Sequence, residues 1–205
     1  MNGPIPVNLV VEDHLSEAVA RKILHKSGQT FAVGTRYVGL RGSGYIKRHL
    51  PGFNRAAVTT PFFVLTDLDD KTCPPLLLQK WLPQPVNQNL IFRVAVREVE
   101  AWLLAHRDGI ARFFGIQRDL IPLDVEALEN PKEVLIGLAR KSKRSDIRKD
   151  ITPPAGSLRT QGPDYNGRLV DFVEKSWDPQ QAMRNSPSLS RAMHTLSSFK
   201  PAWSR

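Results

Sequence analysis

The sequence predicts an α/β protein: a mostly parallel sheet flanked by helices, followed by an α-helical C-terminal extension. Three observations carry this. Short apolar runs of strand character alternate with helical patterns through residues 1–106, the order that builds parallel sheets. Beyond Arg107 the strand signals stop and helix-start signals replace them. The 205 residues, 41% apolar and 24% charged, suffice for a proper core in one domain carrying an extension. The expected division is therefore a sheet domain over 1–106 and helices over 107–205.

Taken in order, residues 5–11 read as the first strand. Asp13 is an N-cap for HLSEAVARKILHK, whose Leu15, Val19, Ile23 and Leu24 share one helical face. The strand FAVGTRYV, the glycine-rich turn GLRGSG and a short helix YIKRHL follow. Then come the strand PFFVL, a helix LLLQKWL, the strand LIFRVAV and the helix EVEAWLLA. In the extension, Asn130-Pro131-Lys132-Glu133 has the N-cap, N1 proline and N3 glutamate of a capping box, and Asp178-Pro179 and Ser186-Pro187 are similar openings. A looser link is expected near ITPPAGSLRTQGP, and no internal repeat is evident.

With Cys73 the only cysteine there is no internal disulfide and no paired-Cys zinc site, which favours a reducing, cytoplasmic setting. The start MNGPIPVNLVVEDHL lacks the basic and long apolar regions of a signal peptide, and no window nears 18 apolar residues, so neither secretion nor membrane insertion is expected. The net charge of +9 favours polyanionic partners, although a solubility surface would also account for it.

The acids are distributed unevenly. In the first 106 residues they are Glu12, Asp13, Glu17, Asp67, Asp69, Asp70, Glu98 and Glu100, in three clusters that each follow a strand-like run. In a parallel sheet the carboxyl ends of the strands form the ligand-binding edge. Three acidic strand ends there repel one another unless a cation sits between them. Taken singly, each acid could equally be a cap or turn residue, as Asp13 and Asp70 are expected to be. Glu98 and Glu100, two apart, would point in nearly opposite directions on a helix, so only one is expected at the site.

LVVEDHLSEAV followed by VLTDLDD resembles the Toprim nucleotidyl-transfer and hydrolysis fold over residues 5–106. The further pieces REVEAWLLA, NPKEVL, GPDYN, WDP and SPSL resemble, over nearly the whole chain, a group of small stand-alone Toprim-like proteins. That group is related to the nuclease domain of OLD-family (overcoming lysogenisation defect) endonucleases. Asp13 stands where Toprim proteins usually have glycine. The resemblance implies Mg²⁺- or Mn²⁺-dependent phosphodiester chemistry. Glu12, Asp67 and Asp69 would be catalytic, Glu12, Glu17, Asp67, Asp69 and Glu100 would be the metal-holding acids, and Glu100 is preferred over Glu98. Hard oxygen ligands do select these ions. It also implies a nuclease acting on nucleic acid, DNA first, in phage defence with a separate ATPase, since the chain has no Walker motif. The alternative is a non-catalytic subunit that binds nucleic acid or an ATPase and retains the acidic site. A homodimer is left open.

The expected nucleic-acid contacts are Lys47, Arg48 and Arg55, and the run ARKSKRSDIRK with Arg140, Lys141, Lys143 and Arg144. A charged, solvent-facing helix end explains that run equally well. The glycines of GLRGSG read better as an ordinary loop than as an anion nest. Arg93 and Arg97 are candidates to neutralise the acids. The five histidines show no ligand spacing, and the tryptophans fit packing.

Overall fold

A computed structural model describes residues 3–39, 42–69 and 73–202. Leu40 and Arg41 of the glycine-rich turn, Asp70 and Trp203 lie outside the described residues. The four strands β1 (Ile5–Val11), β2 (Phe31–Val38), β3 (Phe62–Asp67) and β4 (Leu90–Ala95) form one sheet in the order β2-β1-β3-β4. All three pairings are parallel. Helices α1 (His14–Lys26), α2 (Ser43–Ala56) and α3 (Pro74–Trp81) make the crossovers.

Alternation along the strands divides the interior into two layers. Val7, Leu9 and Val11 of β1, with Phe63, Leu65 and Ile91, pack against α1 and the C-terminal helices. Val10, Phe62, Val64, Leu90 and Phe92 pack against α2 and α3 through Ile46, Leu50, Phe53, Leu77 and Trp81. The helices beyond β4 are α4 (Val99–Ala105), α5 (Arg107–Phe114), α6 (Pro131–Arg140), α7 (Ser145–Ile151), α8 (Tyr165–Lys175), α9 (Pro179–Ala182) and α10 (Pro187–Ser198). They share the α1-side core, in which Trp102 of α4 and Leu169 of α8 are fully buried.

The expected caps form. Asp13 Oδ1 accepts from the Ser16 amide at 2.7 Å, and Asn130, Asp178 and Ser186 cap α6, α9 and α10. One helix is longer than expected. YIKRHL is part of α2, which runs through Pro51 because Ile46 and Leu50 before it and Phe53 beyond it are buried. Among the described residues no helix is long and apolar enough to cross a membrane.

The strand order positions the site. From β1 the chain moves outward to β2, then returns across β1 to add β3 and β4 on the other side. The order therefore reverses between β1 and β3, and the crevice beyond their carboxyl ends is where open α/β sheets bind ligands.

Candidate functional site

Glu12 is the first residue after β1 and Asp67 the last of β3, so the topology sets both at the reversal point. Glu12 reaches across: its Oε1 accepts from the Asp67 amide at 2.9 Å and from the Thr66 hydroxyl. Its Oε2 lies 3.9 Å from where a Cβ on Gly42 would sit, an ordinary contact distance, and Gly42 has φ +73°, so the backbone favours glycine there. Among the described residues no side chain caps the amino end of α2, which begins at that point. Asp67 is half-buried, and its Oδ1 accepts from the Val99 amide at 3.0 Å, capping α4 from another strand. Asp69 is also half-buried, with φ +51°, and its amide donates to the Arg97 carbonyl at 3.0 Å.

Glu100 lies on α4 behind this pair, only 5% exposed, and its Oε1 accepts from the Tyr165 hydroxyl at 2.9 Å. Glu98 Oε2 accepts from the Lys132 amide at the start of α6 at 3.0 Å. Glu98 has extended backbone just before α4, so the helical spacing expected of the two glutamates does not apply to it.

Electrostatically the acids act as one group. Burial pushes the Asp67 carboxyl well above the usual carboxylate range, and Glu100, then Glu12, Asp69 and Asp13, add to that push. Burial also raises Glu12 despite its bonds from Thr66 and Asp67. Glu100 is pushed up to about 7 by burial and then by Glu98, against the pull of the Lys132 ammonium. Buried like charges with raised proton affinity mark a place where a cation would be welcome.

Glu17 does not join them. Its Oε1 accepts from Arg36 at 2.8 Å and its Oε2 lies 3.6 Å from His14 Nδ1, along an open groove between α1, β2 and α8. Arg93 turns to α10, donating to the Thr195 hydroxyl, so it does not neutralise the acids as expected. Arg97 donates to the backbone carbonyl of Asp69 at 3.3 Å.

Lys47, Arg48 and Arg55 are exposed on α2, as are Arg140, Lys141, Lys143 and Arg144 at and beyond the end of α6. Arg144 is the exception in kind: it is bound to Asp146 at 2.7 Å and to the Phe113 carbonyl, over whose ring it sits.

The residues missed from sequence are Thr66, Tyr165 and Lys132. Tyr165 stands 65 positions from Glu100, too far for any spacing rule to link them. The segments REVEAWLLA, GPDYN, WDP and SPSL nevertheless converge: Tyr165 binds Glu100, Trp102 donates to Ser188, and Trp177 donates to the Trp102 carbonyl.

Mg²⁺ is commonly held by one or two carboxylates, water and substrate phosphate, not by an all-protein cage. The Glu12–Asp67 pair fits that role in donor chemistry. It is not a closed cage, because among the described residues no group of three or more His, Cys, Asp or Glu side chains is placed to hold a metal ion. The chain matches no family model, no curated protein and no solved structure.

Proposed function

We propose that the chain is a Mg²⁺- or Mn²⁺-dependent phosphodiesterase acting on nucleic acid, DNA in the first instance, and that it works with a separate ATPase in phage defence. The observation that carries the chemistry is the junction of Glu12 and Asp67 at the sheet's reversal point, where burial, and then the charge of neighbouring acids, raise the proton affinity of both. Glu12 and Asp67 would hold the ion, with Asp69 beside them. When bound, it would supply a Lewis acid and an activated water. Thr66 and the Val99 amide fix one oxygen of each carboxylate, which pre-orients the pair. The uncapped start of α2, followed within two turns by exposed Lys47 and Arg48, is a suitable place for a phosphate of the substrate. The ATPase partner and the defence role rest on the family resemblance alone.

Cleavage of plasmid, linear duplex and single-stranded DNA with Mg²⁺, Mn²⁺ or EDTA tests the reading. Metal-dependent cleavage that disappears in Asp67→Asn is the expected result. The second reading is a non-catalytic subunit that binds nucleic acid or an ATPase and retains the acidic site. It requires metal-dependent cleavage to be absent with and without an ATPase, and partner binding to survive Asp69→Ala.

A further inference from the structure

We propose that Tyr165, at the first position of α8, is a positioning residue for the acidic site: its hydroxyl holds Glu100 behind Asp67, so the helical C-terminal segment completes a site whose other acids come from the sheet. This rests on the metal-dependent reading above. Tyr165 is 1% exposed and its hydroxyl donates to Glu100 Oε1 at 2.9 Å. The ring is held in turn by the Lys132 ammonium, 5.2 Å from its centroid. Lys132 belongs to α6, whose first turn is tied to Glu98 through the Lys132 amide. Two helices of the extension therefore converge on one buried carboxyl, and that carboxyl is the strongest charged influence on Asp67.

A buried tyrosine hydroxyl needs a partner. Spending it on a carboxylate beside a candidate metal-holding residue is the arrangement by which outer groups orient inner ones. Tyr165 touches neither substrate nor ion in this scheme; it acts through Glu100.

A double-mutant cycle read by Mn²⁺ binding, with calorimetry or the electron paramagnetic resonance of free Mn²⁺, tests this in the full-length chain. Tyr165→Phe keeps the ring and its packing and removes only the hydroxyl. It should weaken Mn²⁺ binding about 10- to 100-fold, the range for loss of an outer-shell partner. In the Glu100→Gln background the same change should cost less than about twofold, because the group through which it acts is already altered. Equal losses in both backgrounds, or no loss in Tyr165→Phe, would overturn the positioning role while leaving the metal reading intact. A wild-type chain that binds no Mn²⁺ would overturn the metal reading and the inference with it. Circular dichroism of each variant shows whether it is folded, and a misfolded Tyr165→Phe is replaced by Tyr165→Trp, which also lacks the hydroxyl and answers to the same criteria.

Discussion

At the scale of single residues, Asp67 performs two tasks that substitution can separate. Its charge is opposed by Glu100, Glu12 and Asp69, yet its Oδ1 caps α4 through the Val99 amide. Asp67→Ala removes repulsion and cap together, and the lost cap costs about 1 kcal/mol. Asp67→Asn removes the charge and keeps an acceptor, so without metal it should melt higher than wild type and higher than Asp67→Ala. Differential scanning calorimetry in EDTA checks the order. The same crowding sets a pH dependence. Folding raises the proton affinity of Glu12, Asp67 and Glu100, so the folded state gains from their protonation. For Glu100 that gain is complete below its ordinary value of 4.5 and is lost as pH rises through about 7. The difference corresponds to roughly 3 kcal/mol at most. The metal-free protein should therefore be more stable at pH 5 than at pH 8, and Glu100→Gln should flatten the dependence. Thermal midpoints rising from pH 5 to 8 would contradict this sign.

At the scale of elements, β1, β3 and β4 were legible because each is an apolar run followed by acids, and the caps because Asp13, Asn130, Asp178 and Ser186 act locally. What was illegible is tertiary. Glu98 serves the start of α6, Glu126 takes the Ser188 amide at the start of α10, and Arg93 crosses to Thr195, all over more than 30 positions. Pro51 reads as a stop, yet burial on both sides of it carries α2 onward. The basic run divides on the same grounds. Arg140, Lys141 and Lys143 are exposed, whereas Arg144 is engaged by Asp146 and Phe113. Reversing the first three charges should weaken DNA binding and lower the slope of log affinity against log salt by about 0.9 for each phosphate no longer neutralised. Arg144→Glu should chiefly lower the melting temperature. A triple reversal with an unchanged salt slope in fluorescence anisotropy removes this run from the interface.

At the scale of the whole molecule, the division expected after residue 106 is a change in secondary structure and not a break in the core. One apolar cluster joins Val7, Leu9 and Phe63 of the sheet to α1, and α1 to Leu169, Phe172 and Val173 of α8 and Leu196 of α10. Every residue of α4 is buried, so residues 1–106 alone would expose that helix and the covered face of α1 to water. A chain cut after 106 should show no cooperative melting. The site depends on this union, since Glu100 faces the sheet acids on one side and Tyr165 of the extension on the other. Leu169→Ala, at a fully buried position remote from the acids in sequence, should cost about 2–5 kcal/mol. Because the core is shared, the loss should appear as one shifted transition with circular dichroism and tryptophan fluorescence coinciding. It should also raise hydrogen exchange in β1 as much as in α8. If α8 and α10 instead melted first, with protection in β1 and β3 unchanged, the extension would be a separable unit. Tyr165 could not then be a fixed part of the acidic site under native conditions.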